Sequence, residues 1–232
     1  MIQLVDQLAV VLHAQRKLKE AEPMYKRALQ ARQTLYGERD DEKALTVLAG
    51  LSALLQQRHR LSDAESICNR IVRGCRIIYG ADHTNTLFAV NNLGSVLRRQ
   101  EKHEQAEKVY AQAVEGYEKS LGPDHPFSLA VTNDRAVQLA KCGKFNESEI
   151  LLEKAVIGID KALGSDHPDT LALIGNLALV LHLQGKKEGV VDLYTRAVSG
   201  LKKKADNIAI YGDIYVGILN NLAHFYQSNN TE

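Results

Sequence analysis

Several residue types are rare in this chain. Its 232 residues include no tryptophan, two methionines and three cysteines, and the formal net charge is +1. The odd number of cysteines and their positions within helical patterns are typical of reduced thiols packed in a core. A nearly neutral chain has no global field to hold a polyanion, so nucleic acid is not expected as a partner.

Long apolar runs are also missing. A membrane-spanning helix needs about 20 consecutive apolar residues, and no run in the sequence approaches that length. The first residues do not form the basic, apolar and small-residue succession of a signal peptide. We therefore expect a cytoplasmic protein that has no membrane partner. Its 45% of hydrophobic residues predicts a folded core rather than disorder.

The chain contains an internal repeat. Gly37, Gly80, Gly122 and Gly164 recur every 42 or 43 residues, and the segments between them look alike. Each segment carries two stretches with apolar residues at helical spacing, so each is predicted to fold as helix A, a tight turn and helix B. The sequence predicts one all-α array over residues 1–232. Its five repeats span about 1–37, 38–80, 81–122, 123–164 and 165–206, and a final helix lies in 207–232.

Helix boundaries are also predicted from local signals. Pro126 and Pro168 suit the first turn of helix A, where a missing N–H group costs nothing. The pairs Ser62-x-x-Glu65 and Asn146-x-x-Glu149 have the form of capping boxes at the start of helix B. The repeat glycines can take the left-handed conformation that ends a helix.

The repeats resemble a known family. Leu93, Gly94, Ala106, Tyr110 and Ala113 match the tetratricopeptide repeat (TPR) signature, and the 42-residue period with Asp-His-Pro after Leu-Gly is similar to the kinesin-light-chain type. This type recurs in kinesin light chains and in sensor arrays of fungal and bacterial nucleotide-binding switch proteins. The resemblance implies a right-handed superhelical solenoid that binds a partner protein, without catalysis or cofactor, as the recognition segment of a larger protein.

Repeat two departs from that signature. It has Cys68 and Ile71 where the pattern has tyrosine and alanine, and it lacks Asp-His-Pro. Repeat four has Arg135 at the place of a core leucine, for which we expect an apolar stem packed on the core and a charged head that reaches water.

The resemblance also implies which side chains would contact a bound peptide. In the family, helix A lines a concave groove. Its positions correspond here to Phe88, Asn91, Ser95, Arg98, Arg99, Asn133, Val137, Lys141, His182 and Asn220. They also include Thr46, Ala49, Ala53 and Gln56 in repeat two, and Asp6 in repeat one, which is expected to oppose the cations of the groove. Three cations among them predict an extended, acidic peptide, because arginine binds carboxylates in a bidentate way. The competing interpretation is a solvated helix face whose charges have no function. Asn92, Asn176 and Asn221 are expected to brace neighbouring repeats.

Catalysis is not expected. His83, His125 and His167 recur once per repeat, and packed helices lie about 8–10 Å apart, so these side chains cannot share one metal ion. The sequence has no motif for phosphate or metal binding. The alternative interpretation is a small-molecule or enzymatic site in the groove near His182, Arg98 and Lys141.

The last helix is apolar nearly all round. We expect it to pack on repeat five with one side and to leave Tyr211, Tyr215 and Phe225, or their neighbours, exposed. Self-association through this helix is one way in which such a surface could be covered.

Overall fold

The computed structural model describes residues 2–37, 40–203 and 208–229, which contain helices and no strand. The helices are α1 (Ile2–Ala14), α2 (Leu18–Tyr36), α3 (Glu42–Gln57), α4 (Leu61–Tyr79), α5 (Thr84–Arg99), α6 (His103–Leu121), α7 (Pro126–Lys141), α8 (Phe145–Leu163), α9 (Pro168–Leu183), α10 (Val190–Lys203) and α11 (Ile208–Asn229). The predicted alternation of helix A (odd numbers) and helix B (even numbers) is confirmed.

The helices form two compact units, Met1–Gly116 and Tyr117–Glu232, so the division falls within α6. In the first unit, α1 packs on α2 and α3 packs on α4 as antiparallel hairpins, and α2 and α4 each also contact the next helix A. In the second unit, α7 with α8 and α9 with α10 repeat this pattern. Helix A contacts the next helix A in both units, at α1 with α3, α7 with α9, and α9 with α11. That the repeats form one continuous array stays a prediction.

The Asp-His-Pro segment has a structural role in starting helix A. The Nδ1 atom of His125 accepts a hydrogen bond from the N–H group of Phe127 at 3.1 Å, and Pro126 occupies the first turn as predicted. Three residues after this histidine, the Ser128 hydroxyl donates to the carbonyl oxygen of Gly122 at 2.7 Å. The same pair of contacts begins α5 and α9. The repeated histidines are therefore N-caps.

The backbone conformation at the repeat glycines is more restrictive than the predicted left-handed cap. Gly80 has φ 92° and ψ 169°, and Gly164 has φ 90° and ψ 160°. These values lie outside the left-handed helical region and inside one that only glycine populates readily. The expected left-handed cap was wrong in ψ, because the chain turns directly into the extended loop that precedes the next helix A.

The two predicted capping boxes are wrong. Helix α4 begins at Leu61 and α8 at Phe145, so Ser62 and Asn146 lie within their helices, and neither helix has a side-chain cap.

The glutamates of these motifs instead join neighbouring repeats. Glu65 accepts a hydrogen bond from Lys102 at 2.7 Å, and Glu149 accepts from Lys186 at 2.6 Å. Each lysine lowers the pKa of its glutamate and lies in the A–B turn of the following repeat. These glutamates therefore connect successive hairpins.

Small residues occur where helix A crosses helix B. A Cβ atom added to Gly94 would lie 2.9 Å from the Tyr110 ring, and one added to Gly50 would lie 2.7 Å from the Tyr25 hydroxyl. Closer approach than about 3.5 Å between non-bonded carbon atoms is repulsive. Arg135 is half-buried, as expected of an apolar stem on the core with a charged head that reaches water.

The expected exposure of Phe225 is wrong. This ring is 5% exposed and packs on a core with Ile174, Tyr194 and Ile218, because α11 contacts both α9 and α10. The Tyr215 ring is half-buried against the same core. The side chain of Tyr211 lies outside the described part of the chain.

Their neighbours on α11 are exposed instead. Val216 is 52% exposed and Tyr226 is 48% exposed.

Over the described ranges, the helices are too short or too polar to cross a membrane.

Candidate functional site

An open trough lies between α3, α4 and α5 in the first unit. Its volume is about 370 Å³. Side chains of all three helices line it, including predicted groove positions of α3 and α5. The lining side chains include Thr46, Ala49, Ser52, Ala53, Gln56, Cys68, Ile71, Cys75, Phe88 and Asn92. Phe88 is 61% exposed at this surface.

Two cysteines on α4 account for much of this space. Cys68 takes the place that Tyr25, Tyr110 and Tyr194 fill in other repeats, and those three rings are at most 2% exposed. Cys75 takes the place of Tyr117 in the next repeat. The two cysteines are seven residues apart and so lie on the same face of α4. Because both side chains are small, they leave space in the hairpin interior that opens toward the surface of helix A.

The thiol at the bottom of the trough is buried. Cys68 is 3% exposed, and its sulfur lies 3.1 Å from the Ser52 hydroxyl oxygen at hydrogen-bond distance. Burial raises the pKa of the Cys68 thiol, and it also raises the pKa of Cys75. Both thiols are therefore protonated near neutral pH and act as small, weakly polar surfaces rather than as nucleophiles.

The two predicted arginines have separate partners within the first unit. The Arg98 guanidinium lies over the Tyr110 ring, 5.7 Å from the ring centre. Arg99 donates to the side-chain oxygen and to the backbone oxygen of Gln56, both at 3.1 Å. Arg98 is half-buried and Arg99 is exposed. Each guanidinium uses only part of its five donors in these contacts.

The other predicted residues of α5 lie beside the trough. Asn91 and Ser95 are half-buried, one helical turn apart. Asn92, which was expected only to brace neighbouring repeats, lines the trough together with Phe88. The polar groups of α5 and the trough therefore occupy one continuous surface of the first unit.

Asp6 was expected to oppose the groove cations. Its carboxylate instead pairs with the Arg32 guanidinium from α2, whose side chain is 6% exposed. An internal partner of opposite sign removes most of its influence on a ligand.

In the second unit, the predicted asparagines bind each other. Asn176 donates a side-chain hydrogen bond to the Oδ1 atom of Asn133 at 2.8 Å. This contact between α7 and α9 confirms the bracing role expected of Asn176 and draws Asn133 into it. On the same helix as Asn133, Val137 is half-buried and Lys141 is exposed at the last residue.

His182 and Asn220 lie in different surroundings. The His182 ring packs edge-on against Phe225 with 4.9 Å between the ring centres and lies 5.7 Å from the His224 ring. Burial, followed by the His224 charge, lowers the pKa of His182. The imidazole is therefore neutral at pH 7 and adds no positive charge to this surface. Asn220 is exposed on α11.

Arg98 and His182 were predicted members of the alternative small-molecule or enzymatic site. The Arg98 guanidinium lies over a tyrosine ring and His182 packs edge-on against a phenylalanine ring, and neither contact is that of a general acid and base. Within the described residues, no cluster of three histidine, cysteine or acidic side chains could hold a metal ion.

Sequence reasoning missed the contribution of Cys75 to the site and the contact that Gln56, a predicted groove position, makes with Arg99. Comparison with Tyr117 could have shown that Cys75 is undersized. The role of Gln56 follows from its contact with Arg99 of the next repeat, which no local pattern reveals.

Family models support this architecture. The model described as tetratricopeptide repeat matches residues 43–119, 86–137 and 127–203, and a second model of that description matches 5–42. No curated protein sequence matches the chain.

Several solved structures are similar to this chain. A kinesin-light-chain-type protein of Podosopora anserina with nearly identical TPR-like repeats is 20% identical, with a TM-score of 0.73 over 88% of this chain and 96% of that one. BtubC (BKLC) from P. vanneervenii is 20% identical, with a TM-score of 0.74 over 88% of this chain and 80% of that one.

A third similar structure contains a bound peptide. Bacillus thuringiensis PlcR, in complex with the peptide PapR7 and DNA, is 13% identical, with a TM-score of 0.66 over 93% of this chain and 74% of that one. At these identities the structures show a shared fold only. Because the family models match most of its length, the chain belongs to the tetratricopeptide repeat family.

Proposed function

We propose that this chain is a protein-interaction module that holds an extended, acidic segment of a partner on the α3 and α5 surface of the first unit. The observation that carries the proposal is the trough, whose lining includes Thr46, Ala49, Ala53 and Phe88 from the groove positions implied by the TPR resemblance. PlcR, which has a similar fold, was solved with a peptide bound.

The shape of the surface suits an extended backbone. Ala49 and Ala53 lie one turn apart on α3 and are exposed, so a peptide can approach that helix closely. Amide side chains at Asn91 and Asn92 on α5 can donate to and accept from peptide groups. Apolar contact and backbone hydrogen bonds would then come from facing helices, as expected for a groove ligand.

Charge gives the segment a direction. Glu42 and Gln56 lie at opposite ends of α3, about 21 Å apart at a rise of ~1.5 Å per residue. The Arg99 contact marks the Gln56 end as positive, whereas Glu42 lines the other end of the trough. An acidic group of the partner should therefore bind near Arg98 and Arg99, where it can displace the neutral Gln56 side chain from the guanidinium.

Peptide-display selection against the whole chain would test this function. We expect the selected peptides to be rich in Asp and Glu and to lose affinity as salt is raised from 50 to about 500 mM, because exposed charges are screened. The double variant Arg98→Glu/Arg99→Glu should weaken these peptides by about tenfold or more.

A charge-matched variant controls for net charge. Arg27→Glu/Arg73→Glu changes two exposed arginines on α2 and α4, the B helices of the same unit. This variant should bind the selected peptides like the wild type. Equal loss in both double variants, or selected peptides without acidic residues, would refute the proposed acidic specificity.

A further inference from the structure

The part of the trough that Ser52 and Cys68 line lies at a place where other repeats carry a tyrosine. In repeat one the Tyr25 ring fills the equivalent space, and in repeat three the Tyr110 ring does so; both are essentially buried. In repeat two the shorter side chain of Cys68 stands at that place, and Ser52 stands where the other two repeats have Ala9 and Gly94. The Ser52 hydroxyl therefore borders the ring space, while α3 and α4 pair as the other hairpins do.

We propose that this part of the trough binds one neutral phenolic ring, which takes the place of the absent tyrosine. This inference rests on the proposed use of the trough as a ligand-binding surface, and it names a chemical group that the acidic specificity does not. The ring can belong to a free small molecule or to a tyrosine side chain of the partner.

The trough as a whole is large enough to include a ring site. An apolar cavity of about 150 Å³ is enough to bind benzene, and the whole open trough, of which this place is one part, measures about 370 Å³. Its walls here are the apolar or weakly polar groups of Ala53, Ile71 and Cys68. A ring would replace water that has few hydrogen-bond partners at such walls.

A hydrogen-bonding partner for the ring hydroxyl is in place. In repeat one, the Tyr25 hydroxyl lies 3.2 Å from the Nδ1 atom of His13. In repeat three, the equivalent residue of helix A is Arg98, which covers the Tyr110 ring. In repeat two that residue is Gln56, which lines the trough and is held by Arg99. The Gln56 amide is therefore placed to bind the hydroxyl of an inserted phenol.

The trough lining favours a neutral ligand near Cys68. Among the described residues that line the trough, Glu42 carries the charge, and it lies at the opposite end of α3 from Gln56. Near Cys68 the polar groups are the Ser52 hydroxyl and the Gln56 and Asn92 amides. A phenol satisfies these groups without the cost of removing a charge from water.

The test uses p-cresol, which is the tyrosine side chain without its backbone, in an NMR titration of the whole chain. We expect saturable binding to the wild type and about tenfold or greater weakening in Cys68→Tyr, where the protein's own ring fills the space. Ala53→Leu, at an exposed position, should also weaken binding and should not destabilise the fold. Cys142→Tyr changes the exposed cysteine and should bind p-cresol like the wild type.

Toluene tests the hydroxyl. The wild type should bind p-cresol more tightly than toluene, and Gln56→Leu should abolish that preference. Absence of saturable p-cresol binding, or binding that Cys68→Tyr and Ala53→Leu leave unchanged, would overturn the inference.

A tyrosine-containing pentapeptide with glycine at its other positions distinguishes the two sources of the ring. If it binds as tightly as p-cresol and is blocked by Cys68→Tyr, the ring comes from a partner protein. If p-cresol binds and the pentapeptide does not, the ring is that of a small molecule. A third outcome would refute the phenol site alone and leave the proposed function in place. In that outcome p-cresol does not bind, whereas acidic peptides bind through Arg98 and Arg99 and bind Cys68→Tyr as tightly as the wild type.

Discussion

Glu22 holds the first two repeats together through a group of cations, and its replacement by glutamine should destabilise the fold measurably. Its carboxylate side chain is 7% exposed and accepts hydrogen bonds from Arg60 at 2.8 and 3.0 Å and from Arg58. Lys26 lies at 2.7 Å. Exposed ion pairs contribute about 0–1 kcal/mol, and loss of one partner of a buried pair costs about 3–5 kcal/mol.

The contacts of Glu22 lie between these limits. The carboxylate is buried, but Arg60 is 41% exposed and water can solvate it after the substitution. We therefore expect Glu22→Gln to cost about 2 kcal/mol at pH 7, measured by urea unfolding. Glu115→Gln, at an exposed site in the middle of α6, should change stability by less than about 0.5 kcal/mol. Equal costs for the two substitutions would refute the role assigned to Glu22.

The cost should also depend on pH in one direction. The Lys26 ammonium, and then Arg60, lower the pKa of Glu22 in the folded state. An unperturbed glutamate titrates near pH 4.3. The stabilisation is therefore complete well above pH 4.3 and is lost as pH falls through this value toward the lower folded pKa. The difference between wild type and Glu22→Gln should be constant from pH 7 to about pH 5.5 and should shrink below that range.

Two further substitutions test the segment between repeats. His125→Ala should cost about 1 kcal/mol in urea unfolding because the N–H group of Phe127 loses its acceptor. His125→Asn should recover most of that loss, since asparagine is a good N-cap. Equal stability of all three proteins would show that the cap contributes nothing. Gly80→Ala should cost about 1–3 kcal/mol because its φ of 92° strains any other residue, whereas Gly217→Ala, where an added Cβ atom meets nothing within 4 Å, should stabilise α11 slightly; a neutral Gly80→Ala would refute the conformational requirement.

The helical repeat was predictable because it depends on local and periodic signals. Apolar spacing, the glycine period and Pro126 each act within one hairpin, and a recurring pattern reinforces them. The capping-box prediction failed because it relied on local spacing alone. Ser62 and Glu65 have the right local spacing, but Glu65 binds Lys102, a residue 37 positions away. A local motif cannot compete with a charge-assisted contact that the next repeat supplies.

The candidate site was less predictable than the fold. The positions of Phe88 and Arg99 on helix A follow from the repeat register. Their surroundings do not. The trough exists because Cys68 and Cys75 replace larger tyrosine side chains, and the position of the Arg99 guanidinium is set by its contact with Gln56. Phe225 is a similar case. Its helix is apolar on several sides, and only contact with both α9 and α10 decides which side is buried.

The most direct test of the proposed function is an NMR titration that observes the arginine Nε–H groups while a selected acidic peptide is added. We expect the signals of Arg98 and Arg99 to shift and saturate together, with the same affinity that the backbone amides of α3 and α5 report. Arg27 and Arg73, on the B helices, should not move. Saturable shifts at Arg27 or Arg73, with Arg98 and Arg99 unchanged, would place the peptide on the other face of the hairpins and contradict the account.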